Sequence, residues 1–270
     1  MDFKFVSING QIRPAEEAVV PLTNIEYGYG FGVYESLRVV NGKAYFLTDH
    51  IERLLGSAKI IGLTHAYTAN QIAEFTETLI KKLNTQESYN LKILLIGGKE
   101  PLLYILPLAP LFVDKKLYRD GASVITARYE RPFPQAKTLS MLGSYLGFKK
   151  AKEAGCYDAL AVDRDGVLTE GTRTNLFFIK DKTIFTAPKE KILEGVTKKI
   201  LLGLAQKNGF TVVEKSVRPA ALAQYDGAFL TATSAKVLPI KKIDDYVFKN
   251  IPESIIMLEK LYDEHLEKIG

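Results

Sequence analysis

The chain of 270 residues is long enough for one broad domain or for two smaller ones. Its hydrophobic content of 47% is that of an ordinary globular protein. The 36 basic and 31 acidic side chains give a net charge of +5, and they are too well mixed along the sequence to form a nucleic-acid-binding stripe. The single cysteine, Cys156, excludes an intrachain disulfide framework and a cysteine-based metal cluster, and it fits a reducing compartment.

Targeting and membrane signals are weak. The N-terminal residues MDFKFVSINGQ lack a long apolar core and a small-residue cleavage site, so we expect no signal peptide and a cytoplasmic location. The most apolar stretch, LLYILPLAPLFV, is short and is interrupted by Pro107 and Pro110, which argues against a membrane span. We therefore expect neither a membrane nor a nucleic acid as a partner.

A strand, FKFVSING, is predicted near the start of the chain, and a hairpin follows it in GYGFGVYESLRVVNG. From Val33 to Val40, mainly apolar positions alternate with more polar ones, and Asn41-Gly42 is the strongest two-residue hairpin signal. The glycines are spaced G-x-G-x-G, which differs from the dinucleotide-binding fingerprint. This segment is therefore interpreted as a strand and turn without a phosphate loop.

The rest of the first half predicts a small α+β domain. DHIERLLGSAKIIGL has helical spacing, with Asp49 as a candidate cap and Gly62 as the stop. A second helix, TANQIAEFTETLIKKLN, and two buried strands, LKILLIGG and LLYILPL, follow. We expect this domain to span residues 1–113 and to be followed by a charged linker at residues 114–121.

The second half, residues 122–270, predicts a larger domain that mixes strands and helices. Its expected strands are ASVITARYE, YDALAVDRDG, VLTEGTRTNLFFIKDK, TIFTAP, FTVVEKSV and GAFLTATS. Its expected helices are the later part of AKTLSMLGSYLGFKKAKEAG, then GVTKKILLGLAQKNG, and a terminal helix from about Glu253.

A small number of residues are chemically suggestive in this pattern. Lys137 follows a proline-stiffened turn and precedes an apolar run, and an amine held against apolar groups can react with an aldehyde. Glu170 stands beside an apolar strand, although taken alone it is more typical of a solvated turn. Val196 and Thr197 begin a helix whose amides could bind an anion, or they form a plain helix start.

Two other features concern hydroxyl and histidine side chains. The hydroxyls of Thr231, Thr233 and Ser234 end a strand, where they could bind an anion or simply cap the turn. The three histidines are far apart in sequence and lack the i, i+4 pairing of a zinc helix, so no metal site is predicted.

Taken in order, six segments resemble the class IV aminotransferases, the fold type IV pyridoxal phosphate enzymes that include branched-chain and D-amino acid aminotransferases and aminodeoxychorismate lyase. The segments are FGVYESLRVVNGK, DHIERLLGSAK, AKTLSMLGSYLGFKKAKEAGCYDALAVDRDG, LTEGTRTNLFFI, ILEGVTKKIL and FLTATSAKVLPI. The resemblance implies an α+β fold of two domains, a small α/β domain and a larger pseudo-barrel α/β domain, with the cofactor between them. It also implies a homodimer, which composition does not show.

The resemblance assigns roles to particular residues. Lys137 matches the Schiff-base lysine, which also moves the substrate proton, and Glu170 matches the acid that pairs with the pyridine nitrogen. Arg53 matches the phosphate-binding arginine. Matches to the remaining phosphate and substrate positions are the amides of Val196 and Thr197, the Thr233 hydroxyl, Ser234, and Tyr34, which is presented to the substrate.

Departures from the family pattern leave the substrate open. Leu142 stands where many branched-chain enzymes carry a tyrosine, and Gly97 or Gly98 stands where D-amino acid enzymes place a carboxylate-binding arginine. Lys236 replaces a frequent glutamate. The leading expectation is transfer of an amino group between an amino acid, with an L-branched-chain one favoured, and a 2-oxo acid. Aminodeoxychorismate lyase and a non-catalytic binding protein of the same fold are the alternatives.

Overall fold

The computed structural model describes residues 3–270, which divide into two compact units. Unit 1 contains the chain up to Leu111, the short segment Ala136–Met141 and the terminal Gly270. Unit 2 contains Phe112–Gln135 and Leu142–Ile269. The division differs from the expected boundaries because residues 136–141, from the second half of the sequence, are part of unit 1.

Unit 1 is an antiparallel sheet with two long helices packed against it. Its elements are β1 (Phe5–Ile8), β2 (Gln11–Pro14), α1 (Ile25–Gly28), β3 (Gly32–Val40), β4 (Lys43–Ala44), α2 (Leu47–Ile60), α3 (Ala69–Leu83), β5 (Tyr89–Ile96) and β6 (Leu102–Leu108). The strand order is β2-β1-β6-β5-β3-β4. Apolar side chains of β3, β5 and β6 pack with those of α2 and α3 into one core, whose burial removes apolar surface from water.

The hairpin predicted at Asn41-Gly42 is confirmed. Both residues have positive φ, 49° and 72°, as a two-residue turn between twisted strands requires, and Val39 pairs with Ala44 across it. The predicted cap at Asp49 is wrong. The chain enters α2 through Phe46 in the left-handed conformation, so the helix begins at Leu47 and Asp49 lies within its first turn.

Unit 2 is built around a closed ring of strands. Its elements are α4 (Lys115–Asp120), β7 (Ala122–Arg128), α5 (Leu142–Glu153), β8 (Asp158–Val162), β9 (Leu168–Gly171), β10 (Asn175–Lys180), β11 (Thr183–Thr186), α6 (Val196–Lys207), β12 (Thr211–Glu214), β13 (Gly227–Ala232), β14 (Lys236–Ile243), β15 (Tyr246–Val247) and α7 (Glu253–Ile269). The order β10-β13-β14-β7-β8-β9 returns to β10 through a β9–β10 pairing. This closed ring of six strands confirms the barrel expected for the larger half, and closure leaves the ring without an open edge.

Three details of unit 2 differ from the sequence interpretation. Most of residues 114–121, expected to be a linker, forms α4, with Asp114 as its N-cap and Gly121 as its C-cap, and this helix packs on β14. The segment VLTEGTRTNLFFIKDK forms two strands, because a tight turn at residues 172–174 reverses the chain between β9 and β10. The strand β14 was not predicted, since Pro239 and three lysines obscure its alternation.

In the described part of the chain, no helix is long and apolar enough to cross a membrane.

Candidate active site

Lys137 is held in unit 1 by backbone pairing with the start of β3. The Tyr34 amide donates to the Lys137 carbonyl at 2.9 Å, the Leu139 amide donates to the Gly32 carbonyl at 2.8 Å, and Val33 and Thr138 form an antiparallel bridge. Residues 137–139 thus extend the β3 edge of the sheet. The Lys137 amide itself donates to the Ser57 hydroxyl of α2 at 3.0 Å, so both strand and helix fix this backbone.

The Lys137 side chain lies over the aromatic ring of Tyr34. The Nζ atom is 4.4 Å from the ring centroid, within cation–π distance, and the side chain is half-buried. The structure therefore brings together Lys137 and Tyr34, two residues that the sequence resemblance placed at one site.

Arg53 is paired with a buried carboxylate that the sequence analysis did not single out. The Arg53 Nε and Nη2 atoms donate to the two Glu35 oxygens at 2.7 Å each, and His50 Nδ1 lies 2.7 Å from Glu35 Oε2. Glu35 has no solvent exposure. Burial alone would raise the pKa of the Glu35 carboxyl, but the Arg53 charge and the hydrogen bonds from Arg53 and His50 outweigh it and hold that pKa at about 2.

Glu170 in unit 2 has hydrogen-bond donors on both carboxylate oxygens. Arg131 Nε donates to Oε1 at 2.7 Å, while the Leu193 amide, at 3.1 Å, and Asn175 Nδ2, at 3.4 Å, donate to Oε2. Only 4% of Glu170 is exposed. The buried carboxylate is thus matched by a cation, and the solvated-turn interpretation is wrong for this residue.

The turn after Glu170 is supported by a second buried carboxylate, Asp158 of β8. The hydroxyls of Thr172 and Thr174 both donate to Asp158, and the Ala159 amide donates to it at 2.8 Å. Gly171 fits under this turn because it has no side chain: a Cβ there would lie 2.6 Å from Asp158 Oδ2 and closer still to Thr174 Oγ1. Asp158 and Gly171 therefore set the path of the chain between β9 and β10.

The predicted anion-binding helix start is the N-terminus of α6. Its N-cap is Gly195, which has no side chain to accept a hydrogen bond from the first turn, so the amides of Val196 and Thr197 suit an anionic group. Asn175 Nδ2 also donates to the Leu193 carbonyl at 2.8 Å, which ties the residues before α6 to the Glu170 network. The donor set near α6 fits a phosphate.

The helix α7 contacts both segments predicted to bind phosphate. The side chain of Thr197 hydrogen-bonds the buried Tyr262 hydroxyl; burial raises the pKa of Tyr262 to about 12, and this hydrogen bond offsets part of that rise. Thr233 and Ser234 lie half-buried in the turn from β13 to β14, and Lys236 at the end of that turn pairs with Asp263 at 2.7 Å. The lysine that departs from the family pattern is therefore an anchor for α7.

Sequence reasoning missed several residues of these networks, namely Glu35, His50, Ser57, Arg131, Asp158, Asn175 and Tyr262. Glu35 carried a usable signal, since a charged residue occupies the apolar phase of β3. His50 and Ser57 lie three residues before and four residues after Arg53, on the same face of α2. Arg131, in a proline-bounded turn, offered no comparable signal.

A family model described as amino-transferase class IV matches residues 32–243. The chain belongs to the class IV aminotransferases. That assignment makes this chain an enzyme, and pyridoxal 5′-phosphate is the cofactor of the family, as the sequence resemblance implied. The matched range contains every predicted site residue.

Relatives of this aminotransferase carry different substrate names. It is 30% identical over 255 residues to a probable branched-chain-amino-acid aminotransferase of Rickettsia felis, covering 90% of this chain and 88% of the relative. It is 32% identical over 251 residues to a D-alanine aminotransferase of Bacillus licheniformis, covering 88% of each chain. A crystal structure of a branched-chain aminotransferase from Thermoproteus uzoniensis with norvaline superimposes with a TM-score of 0.88 at 26% identity, covering 96% of this chain and 93% of that chain.

We predict that the stability of this aminotransferase depends on Glu35 in acid. Because folding lowers the pKa of Glu35 from 4.5 to about 2, the stabilisation is complete above pH 4.5 and is lost as the pH falls towards 2. This difference corresponds to about 3 kcal/mol. In urea unfolding at several pH values, the gap in unfolding free energy between the parent and Glu35→Gln should therefore shrink as the solution is acidified.

The control for this measurement is Glu17→Gln, which removes a carboxylate that is 47% exposed and 3.8 Å from Arg13. This variant should follow the parent curve. A gap between the parent and Glu35→Gln that stays constant from about pH 6 to about pH 3 would contradict the burial-and-pairing account.

Gly171→Ala should destabilise the enzyme by about 1–3 kcal/mol, because its Cβ would displace the Asp158–Thr174 contact. Gly203→Ala is the matched control: it lies inside α6 with nothing within 4 Å of the added Cβ, and it should stabilise by about 1 kcal/mol. Thermal unfolding of both variants measures the difference. Equal midpoints would show that the turn after Glu170 tolerates a side chain.

Proposed function

We propose that this class IV aminotransferase transfers the amino group of an L-branched-chain amino acid to a 2-oxo acid, with Lys137 as the catalytic amine. The observation that carries the proposal is the fixed backbone of Lys137 on the edge of β3, with its Nζ over the Tyr34 ring. A catalytic amine must be held in one position to act repeatedly on the same atom, and this backbone is anchored by β3 and α2 together.

Two further groups support the cofactor assignment. Glu170 is a buried carboxylate oriented by Arg131, Asn175 and the Leu193 amide, which suits a partner for a protonated ring nitrogen. The proposed phosphate ligands are Arg53, the amides of Val196 and Thr197, and the Thr233 hydroxyl. A guanidinium and the amides at a helix start both favour binding of a dianion. When bound, pyridoxal phosphate supplies an aldehyde carbon and an electron-withdrawing ring that stabilises negative charge on the substrate Cα.

In the proposed mechanism, Lys137 Nζ would hold the cofactor at its aldehyde carbon at rest. As a free amine during turnover, it would take the proton from the substrate Cα and deliver it to that cofactor carbon, which one flexible amine with rotatable N–H groups can do. Tyr34, Thr233 and Ser234 are the proposed substrate contacts. Glu170 would keep the ring nitrogen of the bound cofactor protonated, because a nearby carboxylate favours the cationic form.

The preference for an L-branched-chain substrate is supported by the packing of Gly97. A Cβ at this position would lie 2.3 Å from the Phe31 ring and 3.1 Å from the Phe31 carbonyl, so a side chain there would have to displace the Phe31 ring, and neither Gly97 nor Gly98 supplies the carboxylate-binding arginine of D-amino acid enzymes. Two observations count against an L-branched-chain substrate. One relative is a D-alanine aminotransferase, and Leu142, which is 71% exposed, replaces the tyrosine of many branched-chain enzymes. The substrate is therefore decided by assay.

We include a homodimer and a cytoplasmic location in the proposal. At the start of α5, Leu142, Tyr145 and Leu146 form an apolar strip with exposed fractions of 71%, 59% and 53%. Strips of this kind, at spacings of three and four residues, are typical of surfaces covered by another chain, and a second copy is the partner that the family resemblance implies.

The substrate assay uses L-leucine, L-isoleucine, L-valine and D-alanine as donors with 2-oxoglutarate as acceptor. We expect the three L-amino acids to be the faster donors, measured as glutamate formed. Faster turnover of D-alanine would assign the D-specific reaction. Pyruvate release from aminodeoxychorismate without an acceptor would identify the lyase, and failure to take up pyridoxal phosphate would favour a binding protein.

Lys137→Ala should abolish multiple turnover while the thermal unfolding midpoint stays close to that of the parent, because the backbone contacts of residue 137 do not involve its side chain. Lys92→Ala is the matched control: Lys92 Nζ also lies near the Tyr34 ring, at 5.3 Å, but has no proposed catalytic role. Multiple turnover by Lys137→Ala at the parent rate would overturn the assignment.

A further inference from the structure

Glu35 and Arg53 form a buried ion pair at a position where the core could have held an apolar side chain. Glu35 is fully buried on a strand face that otherwise carries Val33, Leu37 and Val39, where an apolar residue would serve the core as well. Removing a carboxylate and a guanidinium from water is costly, and such a pair is often no more stabilising than apolar side chains of the same size. The fold alone does not explain why a charge occupies this position.

The geometry of the pair shows what it does to Arg53. Two parallel N–H···O bonds from Nε and Nη2 fix the plane of the guanidinium, which a single contact would leave free to rotate. His50 fixes the carboxylate in turn at Oε2, and His50 is itself 2% exposed on α2. Each member of this chain of contacts therefore has one orientation.

We propose that Glu35 is a positioning residue for phosphate recognition: it holds the Arg53 guanidinium in the orientation that binds the cofactor phosphate, with His50 supporting the carboxylate. The proposal rests on the proposed function, in which Arg53 is a phosphate ligand. It assigns the buried charge to ligand binding, because a rigid guanidinium loses less conformational entropy when an anion arrives.

Charge and orientation predict opposite effects at this position. If Glu35 acted only through its charge, Glu35→Gln would remove a negative charge near the phosphate site and tighten binding of a dianion. If Glu35 orients Arg53, the same substitution releases the guanidinium and weakens phosphate binding. A purely structural role would weaken binding of any cofactor form equally.

The experiment measures the affinity of the full-length apoenzyme for pyridoxal 5′-phosphate and for pyridoxal, which lacks the phosphate, by absorbance titration. Glu35→Gln should bind pyridoxal 5′-phosphate about 10- to 100-fold more weakly than the parent, the size expected for charge-assisted hydrogen bonds. Its affinity for pyridoxal should change by less than about 3-fold. Arg53→Ala should show the same pattern, and the double variant should lose no more than Arg53→Ala alone.

Two further variants serve as controls for this experiment. Glu35→Asp keeps the charge but shortens the side chain, so it should lose less phosphate affinity than Glu35→Gln, and it provides the comparison if Glu35→Gln does not fold. Glu17→Gln removes an exposed carboxylate and should bind both ligands as the parent does.

Unchanged or tighter binding of pyridoxal 5′-phosphate by Glu35→Gln would overturn the proposal, as would an equal loss for both ligands. If Arg53→Ala weakens only pyridoxal 5′-phosphate while Glu35→Gln does not, the phosphate role of Arg53 stands and the positioning role of Glu35 fails. If Arg53→Ala leaves both affinities unchanged, the phosphate role itself is wrong and both proposals fall.

Discussion

The backbone pairing between residues 137–139 and the start of β3 determines where the chemistry of unit 1 is located. Lys137 is distant in sequence from the rest of unit 1, and two inter-strand hydrogen bonds plus the Ser57 contact bring its backbone to a defined place. Because successive side chains of a strand point to opposite faces, Tyr34 is directed to the Lys137 side chain while Glu35 is directed to α2. One short stretch of β3 thus serves a candidate catalytic amine on one face and a candidate phosphate ligand on the other.

Much of this arrangement was accessible from sequence because it follows from local periodicity. The alternation in β3, the Asn41-Gly42 turn and the helix predicted in TANQIAEFTETLIKKLN, which is α3, are all confirmed. The family resemblance located Lys137 and Glu170 because each lies in a segment whose order along the chain is characteristic. These features are decided within a few residues, so reading the sequence locally is sufficient for them.

The features that sequence did not predict depend on contacts distant along the chain. Arg131 meets Glu170 from 39 residues away, and Ser57 meets the Lys137 amide from 80 residues away. The division of VLTEGTRTNLFFIKDK into two strands depends on Asp158, which accepts hydrogen bonds from Thr172 and Thr174 at the turn. In each case the local structure depends on a residue in another element, and the periodicity of the segment itself does not indicate which residue that is.

Each unit contains a buried ion pair between a glutamate and an arginine, and the proposed ligand is the arginine in unit 1 and the glutamate in unit 2. In unit 1 the carboxylate of Glu35 is completely buried and the 14% exposed Arg53 is the proposed ligand; in unit 2 Arg131 is the support and the carboxylate of Glu170 is the proposed ligand. Compared with apolar side chains of the same size, such pairs add little to stability, since desolvation offsets most of the attraction. What each pair provides is a charged group with a fixed orientation, and that is the property that binding of an ionic ligand in one geometry requires. The stability cost of the buried charges is thus consistent with selection for orientation over packing.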